Sequence, residues 1–490
     1  MVLSCAEMRA LEERAFADGI SAEALMEEAG ARIAQAVRQF APGTGRCLVC
    51  FGKGHNGGDA LVAARHLAAA GWEIELRPAF PAEAWAELTA RKYRELRVAP
   101  QSRGERTGSV VVLDGLLGIG AGGALREPIR SATREINQHR REEHALVFAL
   151  DLPTGLDADT GAADLDTVIA DYTLTIGCAK IGLLADSATN FIGRLAVLPL
   201  AELTRRLAAS PSATVATAAA LSPLLPRRRF DTHKGDCGRV GIIAGSPGFT
   251  GAAVMAAEAC VHAGAGLVTL YASPEAQPLL AARGAPEVMV HAIDSYADIL
   301  DARHDVLAIG PGLGASRREE ILFLIQRASP PMIVDADALN ALATHVELLG
   351  SCAGPRLLTP HPGEMARLDP TTATLSRREI VERFTGRFPA TLLLKGARTL
   401  IAERGHPLSY NSSGTPGMAS GGMGDVLTGV LAALAGQGLA LYDAARLGAW
   451  LCGRAAEIAV VRGESEESLS ATHVITHLGP AFRDLRAAVY

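Results

Sequence analysis

Apolar residues recur along this chain in two alternating rhythms. Between Leu25 and Phe40, the positions Met26, Gly30, Ile33 and Val37 fall at helical spacing. The run Cys47–Phe51 is short and continuously apolar and predicts a strand, and Asp59–Ala70 predicts a helix. A strand at Ile74–Arg77 and a helix near Ala84–Leu96 follow, with further strands at Val110–Leu113, Ala145–Leu150, Tyr172–Ile176 and Leu195–Val197. Strands alternating with helices predict a parallel sheet covered on both faces. The second half repeats the rhythm. Strands are predicted at Arg239–Ala244, up to Ile309, at Ile333–Val334, Leu357–Leu358 and Leu392–Leu394; helices are predicted over Val426–Ala435 and near 440–462 and 471–488. Between the halves, Leu207–Leu225 is rich in Ala, Ser, Thr and Pro and carries no functional signature. The expected fold class is therefore α/β in two domains, 1–206 and 225–490, joined by a linker at 207–224.

Composition narrows the possibilities. A chain of 490 residues has room for two to three domains. Apolar residues make up 49% and aromatics only 4%, so the cores must be built from Ala, Leu, Val and Ile. The formal net charge is −6 and no basic tract exceeds Arg227–Arg229, which argues against a nucleic-acid partner. No apolar run approaches the roughly 18 residues of a membrane span. The first residues carry Glu7, Glu12 and Glu13 and do not read as a signal peptide, so a cytoplasmic location is expected. Eight scattered cysteines suit a reducing compartment. Cys47 and Cys50 lie three apart on a predicted strand, so their thiols should point to opposite faces and not converge on a metal or disulfide.

The chemistry gathers where strands end. Gly421-Gly422-Met423-Gly424-Asp425 follows the segment Asn411–Ser420 and leads into a predicted helix. Glycines allow close approach to phosphate, and a helix N-terminus offers free N–H groups. Asp425 repels phosphate and points to proton transfer: an anion hole beside a base is what phosphoryl transfer to an alcohol requires. Read alone, the segment serves equally as a glycine turn whose Asp caps the helix. Other signatures also border strands: His233-Lys-Gly235 precedes Arg239–Ala244, and Gly245-Ser246 with Gly251-Ala252, Gly310-Pro-Gly312, Asp335-Ala-Asp-Ala-Leu-Asn340, Thr359-Pro-His361-Pro-Gly-Glu364 and Lys395-Gly396 follow strands. Ligands of open parallel sheets bind at those strand ends. In the first half, Gly52-Lys-Gly-His55-Asn56-Gly57-Gly58-Asp59 joins a strand to a helix without the Walker or dinucleotide spacing. Asp114 and Asp151 close two further strands, and Gly118–Gly123 can wrap a phosphate. Two carboxylates with an Asn and a hydroxyl suit a hard cation.

On these motifs, residues from about 225 to 490 resemble the ribokinase-like ADP-dependent NAD(P)H-hydrate dehydratases, and the first ~205 residues resemble the NAD(P)H-hydrate epimerase domain, a Rossmann-like three-layer sandwich. The resemblance implies repair of hydrated NADH and NADPH: epimerisation of the R and S hydrates, then ADP-dependent dehydration of the S hydrate to AMP, phosphate and NAD(P)H. It implies Asp425 and Asp151 as catalytic groups. The epimerase would bind its substrate through His55, Asn56, Gly57, Gly58, Asp59, Gly118, Ile119, Gly120, Ala121, Gly122, Gly123, Ala124 and Asp151. Its potassium would sit on Asn56, Asp114 and Thr154. The family loop usually reads Asn-Asn-Gly-Gly-Asp-Gly, where this chain has His55 and Ala60, and Thr154 stands where Ser is usual. Lys180 is a weaker candidate, readable equally as an exposed loop lysine. The dehydratase would hold the hydrate with Gly251, Ala252, Gly312, His361 and Asp425, and the nucleotide with Lys395, Gly396, Ala397, Arg398, Thr399 and Gly424. Asp335, Asp337, Asn340 and Glu364 could organise magnesium. The expected partners are the hydrates and ADP, with no nucleic acid and no membrane, in a homo-oligomer. The rival reading is a ribokinase-like vitamin-precursor kinase with a scaffolding N-terminal domain.

Overall fold

The computed structural model describes residues 1–98, 108–120, 122–207, 211–372 and 374–490. It divides into two compact units, Met1–Val215 with Tyr490, and Ala216–Val489.

The first unit is built on six strands: β1 (Arg46–Phe51), β2 (Glu73–Pro78), β3 (Val110–Gly115), β4 (Leu146–Leu150), β5 (Tyr172–Ile176) and β6 (Arg194–Leu198). They are all parallel in the order β2-β1-β3-β4-β5-β6. The chain runs outward from β1 to β2, then crosses back so that β3 lies on the other side of β1. That reversal opens a crevice at the carboxyl ends of β1 and β3. The longer helices beside the sheet are α1 (Cys5–Ala17), α2 (Ala22–Phe40), α3 (His55–Ala69), α4 (Glu87–Val98) and α5 (Ile129–Glu142). Side chains alternate across β1. Cys47, Val49 and Phe51 pack on the face that takes Ile33, Val37 and Leu61, while Leu48 and Cys50 pack on the face that takes Ile129 and Ile136. The two cysteines therefore lie on opposite faces, as their spacing requires. Helix α3 begins four residues earlier than the apolar pattern indicates, at His55. Near the N-terminus, Val2–Leu3 pairs in parallel with Ala179–Lys180, which docks α1 beside the end of β5.

The second sheet has ten strands. They are β7 (Ala213–Ala216), β8 (Arg239–Ile243), β9 (Leu267–Ala272), β10 (Val288–Ala292), β11 (Val306–Ile309), β12 (Met332–Val334), β13 (Arg356–Leu358), β14 (Thr391–Leu394), β15 (Leu400–Ala402) and β16 (Leu408–Asn411). Their order is β10-β9-β8-β11-β12-β13-β14-β15-β16-β7, parallel from β10 to β14 and antiparallel across β14, β15 and β16. Here the reversal falls between β8 and β11. The core is alanine-rich and centres on α6 (Thr250–His262), α7 (Met423–Gly436), α8 (Leu441–Val461) and α9 (Ala471–Arg486). Helices α6 and α7 approach closely because residue 429 is glycine: a Cβ there would stand 2.0 Å from the Ala256 carbonyl oxygen.

The stretch 207–224 is not a bare linker. It carries the edge strand β7 and a short helix, Ala218–Leu221, capped by Thr217 and anchored in the core by Leu221. Residues 208–210 of that stretch, and Ala121 of the glycine loop, lie outside the described residues.

Candidate active sites

The first site lies at the crevice of the first sheet. Asp114 closes β3 and is fully buried beside Cys50 of β1 and Ala149 of β4. Its carboxylate accepts from Thr154 N at 2.8 Å, from Thr154 Oγ1 at 2.7 Å and from Leu116 N at 3.3 Å. Burial pushes its pKa up to about 6, with these hydrogen bonds pulling the other way. Among the described residues no lysine or arginine pairs with it. Asn56, in the first turn of α3, donates to Leu117 O at 2.8 Å and to Leu150 O at 3.1 Å. Leu117 N in turn donates to Thr154 Oγ1 at 3.2 Å. Asn56, Asp114 and Thr154 are thus drawn into one buried group. Within it, Asn56 Oδ1 is buried without a hydrogen-bond partner among the described residues. An orphaned amide oxygen beside an unpaired carboxylate and a hydroxyl is a donor set that fits a weakly hydrated cation.

The glycines of the 52–58 loop serve packing first. A Cβ on Gly52 would stand 1.9 Å from Leu116 O, one on Gly57 would stand 2.2 Å from Gly52 O, and one on Gly58 would stand 2.4 Å from Met26 Cε. They let the start of α3 settle against β1, β3 and α2. His55 is exposed at the first position of α3. Gly118 covers the site: a Cβ there would lie 3.5 Å from Asn56 Cβ and 3.7 Å from Asp151 Oδ2. Beyond it, Gly120, Gly122 and Gly123 have nothing within 4 Å of a Cβ position. A cleft of about 610 Å³ opens there, lined by Gly118, Gly122, Gly123 and Ala124 with Phe80, Ile129 and Leu152. Arg9 of α1 holds this loop by donating to Ile119 O at 2.7 Å.

Asp151 follows β4 with a left-handed φ of 69°, a conformation uncommon for a side-chain-bearing residue. It forms an ion pair with Lys180, which is fully buried and not the exposed loop lysine of the alternative reading. Asp59 and Glu12 complete the group. Burial, then the Asp151 and Glu12 charges, hold Asp59 well above the usual carboxylate range. Glu12 is also raised, by burial and then by Asp151. Glu12 escaped the sequence reading because nothing in a surface-patterned helix signals that Val2–Leu3 will carry it to β5.

The second site assembles on α7. The helix begins at Met423, three residues before the apolar pattern, so Gly424 and Asp425 occupy its first turn. Gly422 precedes it at φ +91° and no side chain caps the helix, which leaves first-turn N–H groups open. Asp425 is therefore not the helix cap. Burial raises its pKa to about 6; Asp335 and Asp337 add to the rise and Lys395 opposes it. A Cβ on Gly424 would lie 3.4 Å from Lys395 Nζ and 3.8 Å from Asp335 Oδ2. Lys395 donates to Asp335 Oδ1 at 2.8 Å and lies 3.8 Å from Glu364 Oε2. Asp335 also accepts from Thr359 Oγ1 at 2.8 Å and Thr428 Oγ1 at 3.0 Å. Thr428 was missed; its signal is a hydroxyl on the otherwise apolar face of α7, one turn after Asp425.

The four residues expected around magnesium are otherwise engaged. Asp335 serves Lys395 and the two threonines. Asp337 accepts from Gly314 N at 2.8 Å, exposed Asn340 accepts from Arg367 Nε at 2.9 Å, and Glu364 accepts from His361 N at 2.9 Å. Among the described residues no cluster of three His, Cys, Asp or Glu could hold a metal ion. As it stands, this donor set does not fit magnesium held directly by the protein.

His361 caps the helix Pro362–Leu368 through Nδ1, which accepts from Gly363 N at 3.0 Å, and Glu364 ties that cap toward Lys395. Gly312 lies at the β8–β11 reversal with φ +64°; a Cβ there would stand 3.2 Å from Ala252 Cβ. Met255, one turn past Gly251 and Ala252 on α6, packs on Gly422, where a Cβ would stand 2.6 Å from its sulfur. Gly251, Ala252, Gly312 and Gly422 are thus drawn together through α6. The Gly396–Arg398 turn is clamped by Arg377, which donates to Ala397 O at 2.6 Å and Arg398 O at 3.1 Å, while Thr399 Oγ1 donates to Gly396 O at 3.1 Å. His233 does not reach this constellation in any described contact; it pairs locally with Asp236.

Two sheets with parallel strands at their centres, each with glycines and carboxylates gathered just past strand ends, define a pair of α/β enzyme units. Residues 22–182 match the family described as YjeF-related protein N-terminus, and residues 240–478 match the family described as NAD(P)H-hydrate dehydratase. The bifunctional NAD(P)H-hydrate repair enzyme of Moorella thermoacetica is 38% identical, covering 100% of this chain and 98% of that protein. The Escherichia coli enzyme of the same name is 37% identical over 92% of this chain and 88% of its own length. Among solved structures, a Streptococcus mutans protein is 25% identical, with TM-score 0.50, over 56% of this chain and 100% of that one. The ADP/ATP-dependent NAD(P)H-hydrate dehydratase of Bacillus subtilis, co-crystallised with ATP and magnesium, is 27% identical, with TM-score 0.48, over 55% of this chain and 97% of that one. The chain belongs to the bifunctional NAD(P)H-hydrate repair enzymes, with an epimerase unit followed by a dehydratase unit.

Proposed function

We propose that the two activities use the residues gathered past the strand ends of the two sheets. In the second unit, the S hydrate carries a hydroxyl that leaves poorly as hydroxide. Asp425 takes the hydroxyl proton as the oxygen attacks the terminal phosphoryl group of ADP, and AMP departs. The free N–H groups of Gly424 and its neighbours, with Lys395, stabilise the charge on the transferring group. Phosphate then leaves from the ring carbon, the adjacent ring carbon gives up a proton to solvent, and the double bond of NADH or NADPH is restored. Gly251, Ala252, Gly312 and His361 hold the hydrate, and Lys395 with Gly396, Ala397, Arg398, Thr399 and Gly424 holds the nucleotide. Magnesium arrives with the nucleotide's phosphates. The observation that carries this reading is Asp425 in an uncapped first helical turn beside Lys395.

In the first unit, Asp151 moves the proton during epimerisation and the 118–124 loop receives the dinucleotide. Asn56, Asp114 and Thr154 would hold potassium, which would supply a fixed positive charge to the site. Among the described residues no helix is long and apolar enough to cross a membrane, and the eight cysteines are all free, which suits a reducing cytosol.

The test is an assay of the purified chain with NADH hydrate and ADP. AMP and NADH formed in equal amounts support the reading. Turnover with ATP alone, yielding a stable phosphorylated alcohol, would favour a kinase instead.

A further inference from the structure

Lys180 sits on a two-residue strand whose backbone is pinned by Val2–Leu3. Its side chain is 1% exposed. The amine has three N–H donors, and all three are used: one on Asp151 Oδ1, one on Thr175 Oγ1 at 3.1 Å and one on Ile176 O at 2.9 Å. Nothing remains to reach a substrate. Asp151 Oδ1 also accepts from Ile176 N at 3.1 Å. One carboxylate oxygen is thereby held from two sides, while Oδ2 is the oxygen turned toward Gly118 and the space above Asn56. The backbone of Asp151 is held as well, by its N–H on Leu174 O at 2.9 Å and by its left-handed turn. Glu12 and Asp59 supply two more acidic groups to the same pocket, both held above the usual carboxylate range by burial first and by the Asp151 charge next.

We propose that Lys180 is the positioning residue of the epimerase site: it fixes Oδ1 of Asp151 so that Oδ2 faces the reacting ring. This rests on Asp151 as the proton-transfer group. Lys180 touches no reacting atom and acts through Asp151 alone.

The experiment uses the full chain with Lys180→Met, Lys180→Arg, Asp151→Asn and the double variant Asp151→Asn/Lys180→Met. Epimerisation of pure R hydrate gives kcat and KM, and dehydration of S hydrate reports the integrity of the second unit. Misplacing a catalytic group by about 1 Å can cost 10²-fold, so Lys180→Met is expected to lose kcat on that order with KM changed little. Lys180→Arg should recover part of the loss. Asp151→Asn should lose about 10²–10⁴-fold, and adding Lys180→Met to it should cost nothing more, because coupled residues fail to add. The double variant removes both members of the buried Asp151–Lys180 pair and leaves neither alone, so it carries the test even where Lys180→Met does not fold. A further loss in the double variant, or a rise in KM at constant kcat, would mean that Lys180 meets the substrate itself and overturns the proposal. Wild-type kcat in Lys180→Met beside an inactive Asp151→Asn also overturns it. An active Asp151→Asn would instead remove the reading of Asp151.

Discussion

Asp425→Asn separates the dehydratase's chemistry from its stability. In the folded chain the Asp425 carboxyl is raised from 3.8 to about 6 by burial and by Asp335 and Asp337, with Lys395 opposing. A rise of that size disfavours the ionised form by about 3 kcal/mol. The sign follows from linkage. The folded pKa lies above the unfolded one, so the penalty is fully present above about pH 6 and disappears below about pH 4. Asparagine keeps the shape and removes the charge. The second unit should therefore be more stable at neutral pH by at most about 3 kcal/mol, a net figure that already includes the attraction to Lys395. That is roughly 2–4 °C in melting temperature for each kcal/mol in a unit of this size. At pH 4 the two proteins should melt alike. Activity should move the other way: a general base typically contributes about 10²–10⁴-fold, and wild-type kcat/KM for dehydration should fall as pH drops through about 6. The assays are thermal unfolding at several pH values and NADH formation from S hydrate and ADP. Dehydration within ~10-fold of wild type would refute the role of Asp425. A variant less stable at neutral pH would refute the electrostatic account.

Asp114→Ala removes the buried carboxylate from the oxygen cluster, so it should abolish epimerisation and leave dehydration of the S hydrate unchanged. Wild-type epimerisation should weaken when sodium replaces potassium; equal loss of both activities, or full activity in sodium, would remove the ion assignment. Gly57→Ala places a Cβ 2.2 Å from a backbone oxygen, whereas Gly58→Ala meets the flexible end of Met26 at 2.4 Å. The first should cost the larger share of the roughly 1–3 kcal/mol typical of overpacking, read as the lower melting temperature of the first unit; equal melting temperatures would show that the Gly52 turn yields. Of the eight cysteines only Cys352 is not buried, so a thiol reagent should titrate about one group rapidly in the native chain and the others on unfolding; two or more fast thiols would contradict the burial.

The sequence by itself determined what depends on neighbours along the chain. The strand–helix alternation, the opposite facing of Cys47 and Cys50, and the glycine-rich openings of α3 and α7 are local patterns, set by backbone periods and by which residues a turn tolerates. Asp114, Asp151 and Asp425 were legible because each closes a strand or opens a helix, where polar side chains have little other reason to gather. Tertiary structure decided whatever needs distant partners. The edge strand β7, Ala213-Thr-Val-Ala216, is too short to stand alone despite its two β-branched residues and is stabilised by the sheet it joins. Lys180 is buried because Asp151, 29 residues earlier, receives its charge. Asp335 lies 60 residues from Lys395 and 93 from Thr428, and those contacts turn a candidate metal ligand into the counter-ion of a lysine. A buried charge must be paired wherever the fold brings a partner, and that partner has no fixed spacing along the chain.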